Sequence, residues 1–235
     1  MMYRQFEAHM VEPVRLLMQT VMGLEAIIEE FSAGYGTADL VGAKFCARNR
    51  QIRQKTETHA PIDHHHWVEV LLALNRNERM SYNSLQRRMT FSDNTLRKTV
   101  LPALAALGLV ERDKDGYVCL LKNPPSPADE IVAIELKQTR WREAILQARR
   151  YTYFADRTYV AVWNGTAELI DRRLLYRFRL GLIGVERNHA EVLVEAPRRK
   201  PRQEKMHRYC AEFLYNIAPD SGSKRQDCKR ERGPA

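Results

Sequence analysis

The stretch Ile131-Val-Ala-Ile-Glu-Leu-Lys137 decides how this chain is read. It is an apolar run of strand length that carries a carboxylate and an amine two residues apart. Side chains at i and i+2 of a strand share a face. Glu135 and Lys137 are therefore expected side by side, with Val132, Ile134 and Leu136 packing the other face. Charges in an apolar strand are costly unless they have partners or a task. A carboxylate that can hold a hard cation, beside a lysine that can meet an anionic oxygen, suits phosphodiester hydrolysis.

One carboxylate rarely holds Mg²⁺ alone, so a second acidic element is expected. Upstream, Leu24–Ser32 reads as a strand, Gly34-Tyr-Gly36 as a turn and Ala38–Phe45 as the return strand. Asp39 stands at the start of that return strand. Before the hairpin, residues 7–22 form an expected helix, with Val14, Leu17, Met18, Val21 and Met22 in an apolar stripe. Pro13 sets its regular start there or just before. After the Glu-Leu-Lys strand, a helix over about 140–153 places Gln147 and Tyr151 on one face, one turn apart. Trp141, Ile145 and Ala148 form its expected core face.

This order resembles the PD-(D/E)xK nuclease superfamily, the restriction-endonuclease-like fold. The resemblance rests on Glu12 in the first helix, Asp39 after Gly36-Thr-Ala38, the Glu135-Leu-Lys137 motif, and Gln147 with Tyr151 on the following helix. It covers about 1–46 and 129–195. It implies an α/β fold with a mixed central sheet flanked by helices. It implies a Mg²⁺-dependent (or Mn²⁺-dependent) DNA endonuclease that leaves 5′-phosphate and 3′-hydroxyl ends. Asp39 and Glu135 would hold the metal, with Glu12 a third acid reaching it through water and Glu30 its rival. Lys137 would position or deprotonate the attacking water, and Gln147 would border the site. Each residue has a plainer alternative. Asp39 is also a turn cap, and Glu135 and Lys137 are also solvated strand neighbours. Glu12 also complements a helix dipole, and Gln147 with Tyr151 also simply packs or faces solvent.

The gap between Asp39 and Glu135 needs an occupant that folds by itself. Trp67–Leu74 reads as an apolar helix, Ser81–Met89 as a short second one and Ser92–Leu107 as a third, ended by Gly108. Leu109–Arg112, the Lys114-Asp-Gly116 turn and Tyr117–Leu121 form an expected hairpin. Three helices and a two-stranded wing resemble a winged helix-turn-helix domain, which implies a third helix that meets DNA. Asn94, Thr95, Arg97 and Lys98 lie in its first turns and Lys114 in the wing. Pro102 should kink that helix. The plainer use of such a fold is protein contact. The organisation expected is a nuclease core over 1–60 and 124–197, a winged helix over 61–123, and a basic, partly disordered extension over 198–235.

The rest of the composition fits a polyanionic partner. The chain has 235 residues, a formal charge of +9 and a pI near 9.5. Arg48–Lys55 and Arg198–Lys205 crowd the positive charge into two segments. Cys46, Cys119, Cys210 and Cys228 form no C-x-x-C pair, so reduced thiols in a cytoplasmic protein are expected. The N-terminus lacks a signal-peptide run, and no apolar stretch is long enough for a membrane span. Asp63-His-His-His66 reads as a polar linker or helix start, since adjacent histidines on a regular element do not face one ion. Strands are expected at Thr158–Trp163, Leu180–Val185 and Ala190–Glu195, a polar helix near Ala167–Tyr176, and a helix over Gln203–Ile217. DNA is the expected partner, with a homodimer implied by the way such nucleases cut two strands. The rival reading is a non-catalytic DNA-binding protein whose degenerate nuclease fold serves dimerisation or sensing.

Overall fold

A computed structural model describes residues 2–34, 36–58, 60, 62, 64–75 and 78–218, with side chains from residue 8 onward. Helix α1 (Met2–Thr20) leads into the hairpin of β1 (Ala26–Ser32) and β2 (Thr37–Phe45). The hairpin pairs Ala26 with Ala43 and Ser32 with Thr37. Glu30 stands exposed between paired residues with a positive φ of 54°. Helix α2 (Ala47–Lys55) follows, then a long segment that returns to the sheet at β6. The elements of that segment are α3 (His65–Asn75), β3 (Arg79–Ser81), α4 (Tyr82–Gln86), α5 (Asp93–Thr95), α6 (Leu101–Ala106), β4 (Val110–Arg112) and β5 (Tyr117–Leu120). The chain continues through β6 (Ala128–Leu136), α7 (Trp141–Tyr151), β7 (Arg157–Trp163), α8 (Asn164–Ala167), α9 (Arg172–Phe178), β8 (Gly181–Glu186), β9 (His189–Val194) and α10 (Glu204–Ile217).

Six strands form one mixed sheet in the order β1-β2-β6-β7-β8-β9. The pairs β6–β7 and β7–β8 are parallel; the others are antiparallel. The fold is thus α/β, a mixed sheet flanked by helices. Ile131 through Leu136 are all buried, as a central strand covered on both faces requires. Val132, Ile134 and Leu136 pack with Leu40 against Met10, Val14, Leu17 and Met18 of α1. Gly42 belongs to that face: a Cβ there would lie 2.9 Å from Leu24 Cδ1 and 3.0 Å from Met18 Cε. Ile131, Ala133, Val41 and Ala43 line the opposite face under α7 and α10. No helix among the described residues is long and apolar enough to cross a membrane.

The segment between β2 and β6 has its own three-stranded sheet, β3-β5-β4, and its own apolar cluster. Val68, Leu71 and Leu74 of α3 meet Leu85, Leu96, Val100, Leu104 and Val118 there. The helical run after Ser92 is not uniform. Leu96–Val100 is a π-helical turn directly ahead of Pro102. A proline ring clashes with the carbonyl four residues back and offers no N–H, and a widened turn takes up that mismatch. The irregularity expected at Pro102 takes this form, and the helical run is not broken there.

Several sequence expectations are corrected. The crowded basic segment Arg48–Lys55 lies in a helix that the sequence did not suggest, α2 (Ala47–Lys55). Pro13 lies inside α1 rather than at its start; the buried stripe of Met10, Val14, Leu17 and Met18 holds the helix across the missing hydrogen bond. The single helix expected near Ala167–Tyr176 is split into α8 and α9, with Asp171 capping the second through the Arg173 N–H at 2.9 Å. The three-residue strand β3 was not expected at all. The helix over Gln203–Ile217 is present as α10, but it is no part of a loose basic extension. Cys210, Ala211 and Leu214 bury it against the main sheet, and Tyr209 reaches the cluster around α3. The disorder expected over 219–235 concerns residues outside those described.

Helix α10 also carries the charge that ties the chain's detour together. Arg53 and Glu212 are fully buried and form a two-pronged pair, with both N–O distances 2.8 Å. Arg53 Nη1 also donates to the Pro125 carbonyl at 3.0 Å, and Arg208 donates to that of Pro124. Glu212 further accepts from the Ile62 N–H at 3.4 Å. The chain leaving β2 and the chain returning to β6 are thereby pinned to one carboxylate. Removing one partner of such a pair leaves a buried charge alone and costs about 3–5 kcal/mol. Glu212→Leu is expected to lose stability on that scale in urea unfolding. A loss under about 1 kcal/mol would contradict the role given to this pair.

Candidate active site

The site grows from the β2–β6 ladder. Leu40 pairs with Ile134 and Val41 with Ala133, so the next position outward sets Asp39 opposite Glu135. Asp39 Oδ2 accepts the Leu136 N–H at 2.7 Å, extending the ladder with a side chain where backbone pairing ends. Glu135 points to the α7 face and is 1% exposed. Its Oε1 lies 3.1 Å from Lys137 Nζ. Lys137 sits just past the end of β6, and its N–H is held by the Ala161 carbonyl of β7 at 3.0 Å. The pairing of Glu135 and Lys137 expected from their spacing is thus present, and both are largely withdrawn from water rather than solvated.

Tyr151 closes the site from α7. Its hydroxyl contacts Glu135 Oε2 and lies 2.7 Å from the Thr37 carbonyl. A phenol has one proton, and both neighbours are acceptors when Glu135 is ionised. With Glu135 ionised, Tyr151 donates to Oε2; a proton on Glu135 would let the carboxyl donate to Tyr151 instead and free the phenol proton for the Thr37 carbonyl. Burial, then the Asp39 charge, push the Glu135 carboxyl up to about 7, against weaker opposing pulls from Tyr151 and Lys137. Burial, then Glu135, push the Tyr151 phenol far above its ordinary range. The tyrosine therefore acts here as a neutral hydrogen-bonding group.

The two acids fit a hard divalent cation. Facing carboxylates in a low-dielectric place repel each other, and a cation beside them removes that cost. Asp39 and Glu135 would hold such an ion, with water and substrate oxygens completing its shell, as Mg²⁺ prefers. Gln147 lies one turn before Tyr151, and its Oε1 is buried without a hydrogen-bond partner, as is Nε2 of Gln138, next to Lys137. Gln138 was missed from the sequence; adjacency to Lys137 was its only signal. Trp141, Ile145 and Ala148 pack in the core, as expected.

Glu12 does not belong to this set. Helix α1 covers the sheet face of Val132, Ile134 and Leu136, whereas Glu135 faces the other side. Glu12 is exposed, 3.9 Å from Arg15, in a cleft with Trp163 and Arg187. Glu30, the rival acid, is exposed on β1. Asn94, Arg97 and Lys98 share the outer surface of the run after Ser92, opposite buried Leu96 and Val100. Thr95 is spent on capping: its N–H and hydroxyl meet Ser92 Oγ at 3.2 and 2.8 Å. Lys114 is exposed but lies between Asp113 and Asp115, both of which engage Arg79. The three histidines stand at a helix start, as expected, but closer together than their spacing suggested. His64 precedes α3, so the three rings do not extend from one regular element, and their ligand nitrogens come within 4.8 Å of one another. His66 stacks on Phe91 at 4.0 Å, and burial with the neighbouring histidines pulls it down to about 4. Nitrogen donors of this kind do not suit Mg²⁺.

No protein-family model matches the chain, and no curated protein matches it. A solved structure of a protein of unknown function from Silicibacter pomeroyi is similar over 89% of this chain and 84% of that one, with 15% identity and a TM-score of 0.43.

The raised Glu135 carboxyl sets a pH dependence. Between its unfolded value of about 4.3 and about 7, the folded protein binds more protons than the unfolded chain. Stability contributed by this group therefore falls as pH rises through that window. Glu135→Gln keeps a neutral group there. Urea unfolding in EDTA should show the variant gaining on wild type between pH 4 and pH 8, by up to about 4 kcal/mol. A stability difference that stays constant across that range would contradict the protonated state.

Proposed function

We propose that the chain is a Mg²⁺-dependent DNA endonuclease of the PD-(D/E)xK type. The observation that carries the reading is the meeting of Asp39, Glu135 and Lys137 at the end of the β2–β6 ladder, with Lys137 Nζ 3.1 Å from Glu135. The bound cation would supply Lewis-acid stabilisation of a phosphate oxygen and a water nucleophile. Lys137 holds its ammonium beside the reacting phosphate and offsets the charge that develops on it. Tyr151 orients Glu135 through its hydroxyl, itself anchored on Thr37. Gln147 offers a buried carbonyl oxygen on the helix that roofs this face.

The segment between β2 and β6 is read as an inserted winged helix that positions the nuclease on DNA. In support, its three helical stretches and small sheet have a separate apolar cluster, and Asn94, Arg97 and Lys98 are exposed together. Glu69 fixes the turn ahead of that helix, accepting from the Thr90 N–H at 2.6 Å and from Lys205 at 2.7 Å. One observation favours the rival reading of a non-catalytic DNA-binding protein: Glu135 is almost wholly buried and already partnered by Tyr151 and Lys137.

Plasmid cleavage in Mg²⁺ or Mn²⁺ decides between them. Asp39→Ala and Glu135→Ala are expected to abolish cleavage, and Lys137→Ala to slow it by about 10²–10³-fold. DNA affinity should persist in all three, because it rests on basic surface elsewhere. Wild-type protein without metal-dependent cleavage, or full cleavage by the two acid variants, would sink the nuclease reading.

A further inference from the structure

A cleft of about 930 Å³ runs along the outside of α7, and positive charge dominates its lining. Helix α7 contributes Arg149 and Arg150. The end of α9 contributes Arg177 and Arg179, the latter with a positive φ of 56° that turns the chain out of the helix. The segment ahead of α10 adds Arg199 and Arg202, with Lys200 between them. Among the described residues, no aspartate or glutamate lines the cleft, and none of these cations forms an ion pair with a carboxylate.

Aromatic rings hold the arginines in place without neutralising them. Arg149 and Arg177 lie over the ring of Phe178, at 4.2 and 5.6 Å from its centroid, and Arg202 lies 5.5 Å from the ring of Tyr153. Such stacking orients a guanidinium and leaves its N–H donors directed elsewhere. Arg199 goes further: its Nε and Nη2 are buried with no hydrogen-bond partner. Burial, then the charges of Arg202 and Arg179, lower it to about 10. Crowded, unpaired cations are a standing cost that a polyanion would remove. Seven positive side chains exceed what one isolated phosphate can neutralise.

One residue of the cleft, Arg150, lies close to the edge of the candidate site. A Cβ on Gly36 would lie 3.9 Å from both Arg150 Nη1 and Tyr151 Cε1. Gly36 adjoins Thr37, whose carbonyl meets the Tyr151 hydroxyl that contacts Glu135. We propose that this arginine cleft is the track for the phosphodiester backbone of the DNA strand that leads to the Glu135 site. The assignment rests on the nuclease reading for the destination of that strand, and on the cleft alone for the binding.

The test is binding of a fluorescent DNA duplex in EDTA, so that cleavage plays no part, across about 50–200 mM salt. Arg149→Gln/Arg177→Gln/Arg179→Gln removes three exposed cleft charges. Lys55→Gln/Arg172→Gln/Arg187→Gln removes three exposed charges outside it. The cleft variant is expected to bind at least about tenfold more weakly at the low-salt end. Its slope of log affinity against log salt should be shallower by about 2–3. The control should keep the wild-type affinity and slope within a third of that change. Wild-type binding by the cleft variant, or an equal loss in both variants, overturns the proposal. A failure of the nuclease reading would appear separately, as wild-type protein that binds DNA but cuts none in Mg²⁺.

Discussion

The buried pair of Arg53 and Glu212 is the constraint on which the architecture turns. The chain leaves the main sheet after Phe45, builds a second unit, and returns at Ala128, which pairs with Phe45. A detour of that length gives the ladder no local guidance, and loop closure alone sets no register. Arg53 lies on the outgoing side, Pro125 on the returning side, and Glu212 on a helix 159 residues further along than Arg53. One bidentate contact with no water around it holds all three. Charge-assisted bonds of this geometry are strong where the dielectric is low. With the two linkers fixed, the ends of β2 and β6 are held together, and the ladder that runs from them, past a register shift between Lys44 and Phe45, sets Asp39 opposite Glu135.

What that placement yields is a stressed pair of acids. Two carboxylates face each other beside a lysine and beneath a tyrosine that has one proton for two acceptors. Below about pH 7 a proton on Glu135 relieves the pair. A hard cation is the other answer, since its charge favours the ionised form of both acids. The neutral tyrosine and the lysine fit either state. The same logic extends outward. The cleft beside α7 is lined by seven cations and, among the described residues, by no carboxylate, a charge pattern that a polyanion would complement.

Much of this was legible in the sequence for a simple reason: strands and hairpins announce themselves locally. The apolar run through Ile131–Leu136, the glycine turn before Asp39 and the spacing of Gln147 and Tyr151 required only periodicity. Some failures are local, as with α2, β3 and the split between α8 and α9, but those that bear on the site and the core concern tertiary choices. Glu12 sits on the expected helix, yet the sequence does not say which sheet face that helix covers, and it covers the face away from Glu135. Arg53 and Glu212 lie in charged segments that read as solvated, because burial of either depends on the other. Helix α10 was anticipated as an element, but its role as the joint between the two apolar clusters was hidden by the basic residues around it. The convergence of His64, His65 and His66 was dismissed on helix geometry, which does not bind His64, the residue before the helix begins.

The most direct measurement is Mn²⁺ binding followed by calorimetry or by the electron-spin signal of the free ion. If the site is a metal centre, wild-type protein binds Mn²⁺ there, and Mg²⁺ competes for it. Asp39→Asn or Glu135→Gln removes that binding, while Glu12→Gln leaves it intact. Wild-type protein that takes up no ion, or a Glu135→Gln variant that binds as wild type does, would contradict the account.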